Sequence, residues 1–378
     1  MSWLLVFGLV VGVSSLTWTW IQSRHGRAAN ATSEDWLGGA LDAFNRGDLD
    51  GAIIRARQRL ASEPADVDAL LLLTRSLIYR SFGEYDRAVD RQLAVQFGAR
   101  ALARVPNDPE VTAIYAYALA VNGQPQDAAT AARHTLEKQP GHVIAHLALS
   151  LAYGGAGAFD AALREAEQAA TIATGAIQVD VLRALAIAYS DLGRYSDAAR
   201  VIDRALSLDN RLLSLHFERA LYAMQTGDYD KATEAYFQVL ALDTGNVKAH
   251  MRLCELSSLL RETDAAVRYC TAVTELAPSW ADGWYRLGRE HFLQGEFRGA
   301  QEALHQCSTL QMAQNVPASE RRFECWYLQG QAAEIVGDCP ALITTYNEFK
   351  AMTLDPAVTQ TWTYPPEGPP ACRPGAAR

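Results

Sequence analysis

A repeat of about 34 residues runs through most of this 378-residue chain and constrains its fold more than any other feature. Similar short segments recur, among them GDLDGA from residue 47, GRYSDA from residue 193 and GDYDKA from residue 227. Successive copies are separated by 34 residues, as between Gly193 and Gly227, to 42 residues, between Gly295 and Gly337. Such a period predicts stacked structural units, each of which contacts mainly its neighbours.

Each unit has the pattern of a helical hairpin. About fourteen residues with apolar side chains at helical spacing precede the recurrent Gly, and a second helical pattern follows it. Gly adopts the left-handed conformation that ends a helix, although one unit has Arg261 at this place. An Ala five residues after the Gly falls where two helices must approach closely. The sequence therefore predicts an all-α protein.

The hairpin resembles the tetratricopeptide repeat (TPR), whose pattern has Trp, Leu and Gly at positions 4, 7 and 8 and Ala at position 20. Trp284, Leu287, Gly288 and Ala300 fit this pattern in one unit. The resemblance implies a right-handed superhelical solenoid of about nine hairpins. These start near residues 33, 69, 109, 143, 179, 213, 247, 281 and 323. About six extra residues near 97–104 and about eight at 315–322 are expected to make the stack irregular, the first by lengthening a helix.

The chain is predicted to consist of four segments: an anchor at 1–22, a linker at 23–32, the solenoid at 33–352 and a Pro-rich tail at 353–378. Residues 3–21 carry no charge, and as a helix they would extend about 28 Å, close to the thickness of a bilayer core. This predicts a transmembrane helix. A cleaved signal peptide is the alternative, although the basic residue that usually precedes its apolar run is absent.

The resemblance also implies a binding surface, because the first helices of TPR units line a concave groove. It assigns nine residues to this groove or its edge: Arg183, Phe217, Met251, Arg252, Tyr285, Arg286, Arg289, Phe292 and Tyr327. Aromatic rings between arginines suit an extended peptide that carries carboxylates. In the alternative interpretation, some of these side chains pack against the neighbouring unit. The predicted function is a non-enzymatic scaffold that binds a protein or peptide partner.

Other classes of function have little support in the sequence. A net charge of −9 without a long basic run argues against nucleic-acid binding. His146, His216 and His250 all occupy position 4, where TPR units usually have Trp, which favours packing over metal binding. No catalytic motif appears, so we expect no catalytic residue, metal, cofactor or small-molecule substrate. An enzyme or metal carrier built on the repeats remains the alternative from a different class.

All six Cys lie in the last third of the chain. Cys254 and Cys270 fall on opposite sides of one hairpin turn, at matching distances from it, so they should face each other. The other sequential pairs, Cys307 with Cys325 and Cys339 with Cys372, would hold the last units and the tail. Reduced Cys packed as small core residues are the alternative.

The orientation in the membrane rests on two conflicting signals. Disulfides indicate an oxidising compartment and favour an extracytoplasmic solenoid, with a role in assembly or maturation of an envelope complex. Arg24 and Arg27 directly follow the apolar segment and favour the opposite orientation, that of a cytoplasm-facing adaptor.

Overall fold

The computed structural model describes residues 36–85, 87–365, 368–369 and 372. This part of the chain contains eighteen α-helices and no β-strand. It divides into two compact units, an N-terminal unit that ends at Gly227 and a C-terminal unit that begins at Asp228. The predicted transmembrane segment at 3–21 lies outside the described residues. Within the described part, no helix has both the length and the apolar character needed to cross a bilayer.

The N-terminal unit contains eleven helices within its described residues. They are α1 (36–45), α2 (Leu49–Ser62), α3 (Val67–Gly83), α4 (Ala88–Arg104), α5 (Pro109–Val121), α6 (Pro125–Lys138), α7 (Val143–Gly155), α8 (Phe159–Ile172), α9 (Gln178–Asp191), α10 (Tyr195–Leu208) and α11 (Leu213–Gln225). The expected lengthening at 97–104 is present, since α4 has 17 residues where α2 has 14.

The C-terminal unit contains seven helices in the part that the structure describes. They are α12 (Tyr229–Leu242), α13 (Val247–Leu259), α14 (Thr263–Leu276), α15 (Ala281–Gln294), α16 (Phe297–Ala313), α17 (Glu324–Val336) and α18 (Cys339–Met352). The insertion at 315–322 forms the loop between α16 and α17 and includes a short 3-10 turn at Ala318–Glu320.

The side chain at position 4 makes the same hydrogen bond in four of the repeats. The ring nitrogen Nε2 of His146, His216 and His250 donates to the backbone carbonyl six residues earlier, at 2.8, 2.8 and 3.0 Å. Trp284 Nε1 donates to the equivalent carbonyl of Pro278 at 2.8 Å. Burial lowers the pKa of His216, although the hydrogen bond to the Asn210 carbonyl acts in the opposite direction. The histidines therefore replace Trp as packing residues, as the sequence predicted.

Helix α3 fills the interior of the N-terminal unit. It is apolar on nearly all sides and buried on nearly all of them, because it packs against α2, α4 and α5 and also against α11. Its Arg75 reaches the buried Asp180 of α9 at 2.8 Å, and the Tyr117 hydroxyl donates to the same carboxylate at 3.1 Å. Helices α5, α9 and α11 of this unit therefore all contact α3.

The C-terminal unit contains the three disulfides that the sequence predicted. They join Cys254 to Cys270, Cys307 to Cys325 and Cys339 to Cys372, with Cα atoms 5.2, 5.9 and 5.4 Å apart. The first connects α13 to α14, and the second connects α16 to α17. The third ties the tail to the start of α18. No free Cys remains among the described residues.

The described part of the tail lies against the last hairpin. Trp362 is buried and makes edge-to-face contacts with the rings of Tyr327 and Tyr346. The Tyr364 hydroxyl donates to the Glu334 carboxylate at 2.9 Å. Burial, together with this hydrogen bond, raises the pKa of Tyr364 to about 12. The tail therefore covers the apolar surface of the final pair of helices and acts as a terminal cap.

Candidate functional site

Two of the nine predicted groove residues lie in the interior of the N-terminal unit. Arg183 is 4% exposed and Phe217 is 8% exposed. The Arg183 guanidinium binds the Glu218 carboxylate at 2.7 Å and lies 4.6 Å from the centre of the Phe82 ring. Burial by itself lowers the pKa of Arg183, but Glu218 raises it above its ordinary value, so the group stays charged. Both side chains are therefore buried, and Arg183 packs against α3 rather than facing solvent.

Two further predicted residues of the C-terminal unit are covered. Met251 is 3% exposed and belongs to the core of its hairpin. Tyr327 stacks on Phe323, with 5.6 Å between ring centres, and is covered from the other side by Trp362 of the tail. Both side chains therefore contribute to packing, which is the alternative that the sequence left open.

The remaining five residues, Arg252, Tyr285, Arg286, Arg289 and Phe292, lie on α13 and α15. We call this surface the α13–α15 face. The Glu255 carboxylate accepts from Arg252 at 2.7 Å and from Arg286 at 2.9 Å. One carboxylate is thus shared by two guanidinium groups that are 43% and 35% exposed.

A second ion pair anchors the other end of this face. Arg289 Nη1 donates to Glu290 at 2.7 Å and to the Ser258 hydroxyl at 3.1 Å. The Ser258 hydroxyl in turn donates to Glu290 at 2.9 Å. The Glu290 side chain is only 3% exposed, so Arg289 compensates a buried negative charge. Arg289 is therefore structural as well as accessible.

The aromatic residues of the face have different neighbours. Tyr285 lies under the Arg322 guanidinium, 4.6 Å from the ring centre, and Arg322 also binds Asp282 at 2.7 Å. Arg322 comes from the insertion at 315–322, where sequence reasoning predicted irregularity without naming a residue. Phe292 packs edge-to-face on Phe297, with ring centres 5.4 Å apart.

A cleft of about 340 Å³ opens between α13 and α15, along the ion pairs. It is lined by Cys254, Glu255, Ser258, Leu259, Arg261, Arg286, Arg289 and Glu290. Three arginines against two glutamates leave the cleft with an excess of positive charge. Arg261 was not among the predicted site residues. The signal for it was present, since Arg stands there in place of the recurrent Gly.

Exposed aliphatic side chains continue the cleft. Leu259, Leu293 and Ile335 occupy the same position of three successive first helices and are 58%, 59% and 55% exposed. Leu259 and Leu293 follow Glu255 and Arg289 by four residues, which places each on the helix face of its charged neighbour. Among the described residues, no three His, Cys, Asp or Glu side chains converge as metal ligands would. The cleft therefore presents charged hydrogen-bonding groups to a ligand, next to a row of exposed aliphatic side chains.

Comparison with known families supports the interpretation of the repeat. Residues 115–177 and 183–247 match the model of the tetratricopeptide repeat family. These two segments are therefore similar to tetratricopeptide repeats. A sequence search of curated proteins found no match.

Solved structures with a similar fold include a subunit in the crystal structure of the APC/C hetero-tetramer Cut9-Hcn1, with a TM-score of 0.50 and 17% identity. The match covers 80% of this chain but only 57% of that one. The type IV pilus biogenesis factor PilW has a TM-score of 0.47 at 16% identity, over 55% of this chain and 94% of that chain. PilF of Pseudomonas aeruginosa has a TM-score of 0.43 at 16% identity, over 61% and 97%. At these identities the similarity concerns the fold alone.

Proposed function

We propose that this protein is a non-enzymatic scaffold whose α13–α15 face binds a segment of a partner protein. The segment carries carboxylates next to apolar side chains. The observation that carries the proposal is the cleft itself, in which Arg261, Arg286 and Arg289 outnumber Glu255 and Glu290 beside exposed Leu259 and Leu293. Charged and apolar groups in such proximity suit an extended peptide.

The shared carboxylate suggests how the peptide would bind. Arg252 and Arg286 both contact Glu255 and are both partly exposed, so an incoming carboxylate can reach either guanidinium. Hydrogen bonds between charged groups are stronger than those between neutral ones. The Cys254–Cys270 disulfide fixes α13 to α14 directly behind the cleft. A rigid wall loses less conformational entropy on binding, which favours affinity.

We further propose that residues 3–21 tether the solenoid to a membrane and that it acts outside the cytoplasm, in assembly or maturation of an envelope complex. The three disulfides of the C-terminal unit support an oxidising compartment. The alternative, a cytoplasm-facing adaptor, rests on Arg24 and Arg27.

Affinity capture from solubilised membranes tests the face. The full chain is compared with an Arg252→Glu/Arg286→Glu variant, which repels carboxylates but leaves the buried Glu290 with its partner Arg289. We expect the variant to retain about a tenth or less of the captured partner.

The matched control is Arg268→Glu/Arg298→Glu, which changes the net charge equally at exposed positions of α14 and α16. It should capture the partner as the unaltered chain does. If all three proteins capture the same partners in equal amounts, the assignment of the α13–α15 face is wrong.

A further inference from the structure

A larger groove lies in the N-terminal unit, between the second helices α2 and α4. Its volume is about 920 Å³, and it is open to solvent. Ile54, Leu60 and Pro64 contribute apolar surface from α2 and the residues after it, and Phe97 contributes a ring from α4. Ile54 is 56% exposed, which is unusual for a large aliphatic side chain on a helix with a buried face. This α2–α4 groove is separate from the α13–α15 face and independent of the function proposed for it.

The groove owes one of its walls to an irregularity of the repeat. All its α4 residues, Phe97, Arg100, Ala103 and Arg104, fall within the insertion at 97–104. The 14-residue second helices α6, α8 and α10 show that a hairpin of this chain forms without such an extension. Helix α4 is three residues longer than these helices, so Ala103 and Arg104 of the wall lie beyond the length that a hairpin of this chain needs.

All the charged side chains that line the groove are cationic. Arg57, Arg100 and Arg104 line it, and no carboxylate does. The structure shows no ion pair for these three arginines with any residue that it describes. The guanidinium groups of Arg57 and Arg100 lie 5.9 and 5.5 Å from the centre of the Phe97 ring instead. Three unneutralised cations around an aromatic ring, in a chain with net charge −9, favour an anionic ligand with an apolar face.

We propose that the α2–α4 groove binds an acidic amphipathic helix of a partner protein. Each wall extends over eight residues, Ile54 to Ala61 and Phe97 to Arg104, or about 10 Å along the helix axis. Two turns of a helix from the partner protein match this length. They would bury the partner's apolar side chains at positions i, i+3 or i+4, and i+7. Its Asp and Glu side chains would meet the three arginines. An acyl chain would need an enclosed apolar tunnel, whereas this groove is open.

A displayed library of random peptides about twelve residues long, selected on the purified protein, tests this proposal. We expect selected peptides with several Asp or Glu and with apolar residues at helical spacing. Fluorescence anisotropy should show that Arg57→Glu/Arg100→Glu/Arg104→Glu weakens their binding about tenfold or more. The control Arg133→Glu/Arg164→Glu/Arg298→Glu, at exposed arginines of α6, α8 and α16, should leave it unchanged. Circular dichroism verifies that both variants are folded.

Three outcomes would overturn the proposal. If all selected peptides depend on Arg252 and Arg286 for binding, the α13–α15 face remains a binding site and the proposal for the α2–α4 groove is wrong. Binding to vesicles of equal parts phosphatidylglycerol and phosphatidylcholine, lost in the triple variant while peptides show no such loss, would identify a lipid site. Self-association that the triple variant abolishes would identify a second copy of this chain as the occupant.

Discussion

Arg261 occupies the place at which seven other units have a Gly in the left-handed conformation. Its φ angle is 61°, and the equivalent Gly residues have φ angles between 72° and 81°. An L-residue in this conformation costs about 1 kcal/mol relative to Gly. The side chain that carries this cost lines the cleft of the α13–α15 face. Such strain is expected where a residue is kept for binding even though it makes the fold less stable.

Replacing Arg261 with Gly should separate these two effects. We expect Arg261→Gly to stabilise the protein by about 1 kcal/mol, because Gly adopts the left-handed turn without strain. The same change should weaken partner capture, since the cleft loses a cation. Urea unfolding measures the first effect and affinity capture the second. Arg268→Gly, in the middle of α14, is the control and should destabilise by about 1 kcal/mol. A loss of stability in Arg261→Gly would contradict the argument.

Position 4 shows how much a single residue's place in the repeat can predict. His146, His216 and His250 differ from the family pattern in residue type, yet each makes the hydrogen bond that Trp284 makes. The repeat spacing was sufficient to predict a packing role for these histidines, because the carbonyl that accepts the hydrogen bond lies only six residues earlier. By contrast, the surroundings of Arg183 depend on Glu218 and Phe82, 35 and 101 residues distant, and no local pattern specifies them.

At the scale of helices, periodicity located the elements but not all of their neighbours. The sequence of α3, VDALLLLTRSLIYRSFG, is apolar on almost every side, which is typical of a helix buried all round. This signal could have predicted that the N-terminal unit has a filled interior. The described part of the Pro-rich tail contains no α-helix. Its Trp362, however, docks onto α17 and α18 through contacts that the Pro content does not indicate.

Gly330 is the position at which this docking can be tested. An added Cβ would collide with the indole of Trp362, lying 2.7 Å from its Cζ2 atom and closer still to Cη2. We expect Gly330→Ala to displace the tail and to destabilise the C-terminal unit by about 1–3 kcal/mol. Limited proteolysis, read by mass spectrometry, should show faster cleavage between residues 353 and 365.

The Trp362→Ala variant provides the control for this prediction. It removes the same contact from the other side, so the double variant should be no more susceptible than Trp362→Ala alone. Equal cleavage of Gly330→Ala and the unaltered protein would mean that the tail does not depend on this contact.

At the scale of the whole molecule, the two units are stabilised in different ways. All three disulfides lie in the C-terminal unit and close loops of 16, 18 and 33 residues. The described residues of the N-terminal unit contain no Cys and depend on the buried helix α3 and its ion pair with Asp180. Disulfides that close loops of this length typically stabilise by about 3–4 kcal/mol each through the entropy of the unfolded chain.

Reduction should therefore destabilise the units unequally. We expect a reductant to lower the unfolding temperature of the C-terminal unit and to leave the N-terminal unit nearly unchanged. Hydrogen exchange during heating, assigned to peptides of each unit, distinguishes the two. The unreduced protein should also have no free thiol when labelled after unfolding. Six free thiols in that assay would contradict both the disulfides and the extracytoplasmic location inferred from them.

The sequence by itself determined the repeat and the helical hairpins, and it favoured sequential pairing of the six Cys. Cys254 and Cys270, for example, are 16 positions apart within one hairpin, so the 34-residue period places them opposite each other. Only the tertiary structure decided which predicted groove residues are accessible. Arg75 meets Asp180 across 105 residues, and Trp362 covers Tyr327. Such contacts join residues that are far apart in the chain, so they depend on three-dimensional packing that a local sequence period does not specify.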